Sequence, residues 1–130
     1  MSASPARILV VDDEPSLLRI FSLYLGRLGY SVTTAGATDE AWSMVQADPA
    51  SFAGAVLDGS MAGMKMEDLA LRMLGANSTL RVLVSSGYPM DMTALSAAAP
   101  GRVDFLQKPF TPEMLATALR GLLGAQKESL

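Results

Sequence analysis

Short runs of apolar or β-branched residues recur along this chain, and each gap between them holds a stretch with helical period. That alternation leaves few folds open. The runs are Arg7 to Val11, Ala53 to Leu57, Leu80 to Val84 and Arg102 to Leu106, with Ser31 to Ala35 more polar than the rest. Continuous apolar runs suit strands buried on both faces, and the polar one suits an edge. Between them, Leu17, Leu18, Phe21, Leu25 and Leu28 form one apolar stripe, and Met114, Leu115, Ala118, Leu119 and Leu122 form another at the same spacing. Pro15 in a first turn, Gly29 after a last turn, and the cap Thr111-Pro112-Glu113 mark helix ends. Thr38-Asp39-Glu40 opens a helix through Trp42 and Val45, and Gly75 is expected to stop one that reaches back to about Met66. The helix after Met90 has little apolar surface, since Pro89, Ala97 to Ala99 and Pro100 dominate it. Five strands alternating with five helices predict an α/β fold: a doubly wound, five-stranded parallel sheet of (βα)5 type with right-handed crossovers.

The pattern fills the chain without a low-complexity linker or repeat, so residues 1–130 are expected to form one domain with a core over about 7–124. Half of the residues are apolar, enough for a real core without covalent staples. No cysteine is present, which excludes disulfides and thiolate metal sites, and Met1 to Pro5 lack the basic start and apolar run of a secretion signal. No apolar stretch approaches the ~20 residues of a membrane span. A soluble, cytoplasmic protein is the expectation. The formal charge of −3 argues against a phosphate-backbone binder, so direct nucleic-acid contact is not expected. Histidine is absent as well. Any phosphate chemistry must therefore be performed by carboxylates, hydroxyls or a lysine.

A parallel sheet of this kind binds ligands beyond the carboxyl ends of its strands, where strand order reverses. Asp12-Asp13-Glu14 follows the first predicted strand, Asp58 the third, Ser85-Ser86-Gly87 the fourth and Lys108-Pro109 the fifth. With strand order 2-1-3-4-5, strands 1 and 3 are neighbours and Asp12, Asp13 and Asp58 face one another across a shallow pocket. Crowded carboxylates repel, and a bound cation or a nearby lysine relieves them. A hard ion such as Mg²⁺, or Mn²⁺ in its place, prefers oxygen ligands and commonly takes one or two carboxylates. Each part alone has an ordinary explanation: acids before a helix answer its dipole, Asp58 starts a turn, and Lys108 is solvated. Their placement on four loops at one rim is what points to chemistry.

These residues resemble the response-regulator receiver family of two-component signalling. Ile8-Leu9-Val10-Val11-Asp12-Asp13-Glu14-Pro15 is similar to its opening strand and acidic pair, and Val56-Leu57-Asp58 with Met61 and Met64 to its acceptor loop. Val84-Ser85-Ser86-Gly87-Tyr88 and Phe105-Leu106-Gln107-Lys108-Pro109-Phe110 resemble its other two signatures. The resemblance covers about residues 7–124 and implies the flavodoxin-like fold. It implies that Asp58 accepts a phosphoryl group from a histidine kinase or phosphotransfer protein. Asp13 and Asp58 suit the metal ion by their chemistry, with Asp12 through water; the resemblance implies that Asp12, Asp13 and the backbone carbonyl of Ser60 hold it, that Ser86 and Lys108 contact phosphoryl oxygens, and that Lys108-Pro109 is cis. Phe105 takes the place of the switch aromatic, and the surface of the fourth helix, fifth strand and fifth helix becomes the output, with a homodimer through that face as one use of it. Slow loss of the phosphoryl group by the domain's own catalysis is implied too. The sequence departs from the family after Asp58, where Ala62, Lys65 and Met66 replace a proline, an acid and a glycine. A methionine in place of a glycine implies a different loop path or backbone strain.

Rival functions need residues that are missing. A phosphatase of the haloacid dehalogenase type requires a second Asp where Ser60 stands, and a flavin carrier requires a small-residue phosphate cradle where Asp12-Asp13-Glu14 stands. An interaction module that signals without phosphorylation is the remaining alternative.

Overall fold

The computed structural model describes residues 6–59 and 65–128, the side chains of 125–128 excepted. Five strands and five helices alternate: β1 (Arg7–Val11), α1 (Pro15–Arg27), β2 (Ser31–Ala35), α2 (Thr38–Ala47), β3 (Gly54–Asp58), α3 (Met66–Ala76), β4 (Arg81–Ser86), α4 (Thr93–Ala98), β5 (Val103–Gln107) and α5 (Pro112–Glu128). All strand pairs are parallel and lie in the order β2-β1-β3-β4-β5. The predicted architecture is thus the one observed.

Period-two alternation splits the strand residues between two cores. Leu9, Val11, Ala55, Leu57, Val82 and Val84 face one side, where α2, α3 and α4 bring Ala41, Val45, Leu69, Met73 and Leu95. Ile8, Val10, Val56 and Leu83 face the other, against Phe21 and Leu25 of α1 and Leu115, Leu119 and Leu122 of α5. β3 is buried at every position, as a central strand must be, whereas β2 is covered only at Ala35. In the apolar stripe of α5, Leu115 and Leu119 are fully buried and Met114 is 46% exposed, so the stripe serves the chain's own sheet.

Several boundaries differ from the sequence reading. β3 and β4 extend far enough that Asp58, Ser85 and Ser86 belong to the strands themselves, with Asp58 paired to Ser85. Gly75 does not end its helix; α3 continues to Ala76, and Asn77 ends it. The reason is side-chain chemistry. Asn77 donates to the Phe52 carbonyl at 3.1 Å and accepts from the Thr79 N–H at 3.0 Å, a local alternative to helical bonding. Arg102 then satisfies carbonyls left over at this helix end, donating to Leu74 at 3.1 Å and to Asn77 at 2.6 Å. The Thr111 cap is formed, its hydroxyl accepting the Met114 N–H at 3.1 Å.

Candidate functional site

The strand order puts β1 and β3 side by side at the point where the chain's path reverses, and their carboxyl ends carry the acids. Asp12 directly follows β1, its N–H bonded to the Ala35 carbonyl at 3.1 Å, so the backbone is still tied to the sheet when the side chain turns over the rim. Its Oδ1 accepts the Glu14 N–H at 3.0 Å, closing a turn before α1. Asp58 ends β3. Both acids are nearly inaccessible, 4% and 5% exposed, while Asp13 is open to solvent. One carboxylate oxygen from each of Asp12, Asp13 and Asp58 lies within 4.8 Å of the others.

Lys108 reaches this cluster from β5. Its backbone N–H donates to the Ser86 carbonyl at 2.8 Å, continuing the sheet one residue past the strand, and the bond to Pro109 is cis. From there Nζ stands 3.2 Å from Asp58 Oδ1 and 3.7 Å from Asp12 Oδ2. One cation therefore bridges two buried carboxylates. The pKa of Asp12 is raised above its ordinary value of 3.8, first by burial, then by the neighbouring Asp58 charge and less by Asp13; the Glu14 N–H and Lys108 oppose the rise. A lysine alone does not neutralise the cluster.

Ser86 lies at the end of β4, buried, and its hydroxyl oxygen accepts the Tyr88 N–H at 3.2 Å. Phe105 is half-buried on β5 and packs on the α2–α3–α4 side of the sheet with Met90 and Met92. Ser60, the predicted backbone ligand, and Ala62 lie outside the described residues. Lys65 is exposed and precedes α3, and Met66 is the first residue of that helix, with its side chain in the core. Among the described residues no non-glycine has positive φ, so the strain expected of methionine in place of glycine is not found at Met66.

One neighbour of the site carried no signal in the sequence. Met90, in the loop between β4 and α4, rests on Gly59: a Cβ at that glycine would stand 3.0 Å from Met90 Sδ, 3.2 Å from the Ser85 carbonyl oxygen and 3.4 Å from Ser86 Cβ. A methionine has no chemical signature to mark it, and its partner is far away in the chain.

Fold and site together describe an α/β domain with an acidic, lysine-bridged cleft at the switch point of its sheet. The model of the response regulator receiver domain matches residues 8–120, and the chain belongs to that family. The alginate biosynthesis transcriptional regulatory protein AlgB of Pseudomonas aeruginosa is 33% identical over 117 residues, which are 90% of this chain and 26% of that protein. The DNA-binding transcriptional regulator NtrC of Rhizobium meliloti is 33% identical over 119 residues, 92% of this chain and 23% of that protein. The chain thus spans about a quarter of the length of these relatives. Among solved structures, a CheY-like receiver domain protein from Methanospirillum hungatei superposes with a TM-score of 0.84 over 98% of this chain and 100% of its own, at 23% identity, a likeness of fold. As a receiver domain of two-component response regulators, the chain is a signalling phosphoacceptor of the kind that works with histidine kinases and output domains. Receiver domains bind Mg²⁺ at an acidic pocket, and here Asp12, Asp13 and Asp58 form an acidic group at the rim of the sheet. The donors fit a hard ion: they are all oxygen, and their carboxylate atoms converge within 4.8 Å of one another. Among the described residues no helix is long and apolar enough to cross a membrane.

Proposed function

We propose that Asp58 is the phosphoacceptor of a two-component phosphorelay, and that one receiver unit over about residues 7–124 carries the activity. The observation behind this reading is the bridging of Asp58 and Asp12 by Lys108 Nζ at 3.2 and 3.7 Å, at the rim where the sheet's order reverses. Asp12, Asp13, Asp58 and the Ser60 carbonyl are the residues to hold Mg²⁺, or Mn²⁺ in its place. When bound, the ion supplies positive charge beside the transferring phosphoryl oxygens.

The chain's own residues perform the rest. An Asp58 carboxylate oxygen attacks the phosphorus of a phosphohistidine on the donor protein; the P–N bond breaks and the imidazole leaves. Lys108 releases part of its pairing with Asp58 and follows charge onto the new phosphoryl oxygens. The Ser86 hydroxyl, able to donate while it still accepts from Tyr88, turns toward the phosphoryl group. Phe105 fills the space left behind, and the surface of α4, β5 and α5 changes for a downstream protein or output domain. Hydrolysis of the acyl phosphate, catalysed by the domain itself, ends the signal. Self-association through the α4–β5–α5 face has little apolar surface on α5 to build on, because Met114 alone of its predicted stripe is strongly exposed. Nothing among the described residues favours signalling independent of phosphorylation.

Intact mass after incubation with acetyl phosphate, with and without Mg²⁺, tests the assignment. A single phosphoryl adduct that needs Mg²⁺ and disappears in Asp58→Asn is the expected result. An adduct that persists in Asp58→Asn would move the acceptor elsewhere.

A further inference from the structure

The loop from Gly87 to Met92 is the covalent route from Ser86 to α4, and three of its contacts lie between Ser86 and the start of that helix. The Tyr88 N–H donates to Ser86 Oγ at 3.2 Å, and Asp91 Oδ1 accepts the Thr93 N–H at 2.9 Å at the start of α4. The third is Met90, whose Sδ occupies the side-chain space that Gly59 leaves open, beside Ser86. Gly59 follows the acceptor Asp58 and donates its N–H to the Ser85 carbonyl at 2.6 Å. Met90 thus joins the acceptor loop to the β4–α4 loop beside Ser86. It packs on the same core cluster as Met92, Leu95 and Phe105.

We infer that Met90 is a positioning residue of the switch: seated on Gly59, it holds the β4–α4 loop and the start of α4 in the resting arrangement. This rests on the reading of Asp58 as acceptor. When the end of β4 shifts to carry Ser86 toward a phosphoryl group, Ser86 and Met90 Sδ compete for the space over Gly59, and Met90 leaves. A contact made in one of two states weights the equilibrium between them, so its loss favours the other state without any phosphoryl group present. An unbranched thioether suits such a contact, because it can leave and repack with little rotamer strain.

Two substitutions release the contact from opposite sides. Met90→Ala removes the thioether, and Gly59→Ala places a methyl group 3.0 Å from its sulfur. The unphosphorylated Met90→Ala protein is expected to show amide NMR shifts of α4 and of Phe105 displaced toward those of wild type saturated with Mg²⁺ and beryllofluoride, a mimic of bound phosphoryl. Its affinity for beryllofluoride should rise about fivefold, the scale of one lost apolar contact. Met90→Leu, which refills the space, should return both toward wild type, and Gly59→Ala should move the shifts in the same direction as Met90→Ala. If Met90→Ala folds with wild-type shifts and wild-type affinity, Met90 only fills space and the inference is wrong. If it does not fold, Gly59→Ala decides on the same readouts, wild-type shifts and wild-type affinity being the negative result. Should wild type itself bind no beryllofluoride, the acceptor reading fails and this inference falls with it.

Discussion

Asp12 is the residue whose surroundings ask most of it: burial and the Asp58 charge both favour its protonated form, and Lys108 offsets only part of this. Because its folded pKa lies above the unfolded value, the contribution of Asp12 to the stability of the metal-free fold is fully present at pH below the unfolded value. That stability is lost as pH rises through the raised folded value. Urea titrations in EDTA should therefore show Asp12→Asn gaining stability over wild type as pH is raised from about 3.8 toward neutrality, where the amide carries no charge to bury. An unchanged difference across that range would place the strain elsewhere. Lys108 has the opposite part. Lys108→Met takes the bridging cation from both buried carboxylates, and the metal-free protein should lose roughly 2 kcal/mol at neutral pH, on the scale of a lost hydrogen bond to a charged group. The same variant should take up phosphoryl from acetyl phosphate at least about tenfold more slowly, as the loss of one charge-stabilising donor implies.

The end of α3 shows how elements are joined at the rim opposite the site. Arg102 donates to the carbonyls of Leu80, Leu74 and Asn77, linking the start of β5 to the end of α3 and the entry to β4. Arg102→Met should cost about 1–3 kcal/mol of unfolding free energy, since buried carbonyls lose their donor. It should leave the rate of phosphoryl uptake unchanged, because every contact of Arg102 lies at the far end of the strands. A slowed uptake would show that the two rims are coupled. On the other face, Leu119 is fully buried between α5 and the sheet. Leu119→Ala should destabilise by about 2–5 kcal/mol through the cavity it leaves, which thermal or urea unfolding measures directly.

Across the whole molecule, both cores share one central sheet, so folding and metal binding are linked. A ligand that binds only the folded state stabilises it in proportion to the logarithm of its concentration, by about 2.7 kcal/mol at a hundred times Kd. Tm should accordingly rise steadily with log Mg²⁺ in wild type, and the rise should vanish in Asp58→Asn if that carboxylate holds the ion. An equal rise in the variant would exclude Asp58 as a ligand. Much of this molecule was legible in its sequence, for a physical reason. Period-two and period-helical patterns are made by neighbouring residues, so strands, helices, the polar edge at Ser31–Ala35 and the acids and lysine beyond the strands could be read locally. Asp12, Asp58, Ser86 and Lys108 could be placed together because each strand of a parallel sheet ends on the same rim. Local pattern could not reveal that Asn77, rather than Gly75, ends α3, since the decision depends on the distant Phe52 carbonyl and on Arg102. Nor could it show Met90 over Gly59. Element type and chemical endowment were set by the sequence alone. Which carboxylates are withdrawn from water, which cation reaches them and which side chains meet around Gly59 were decided by tertiary packing, because those contacts join residues that only the closed sheet brings together.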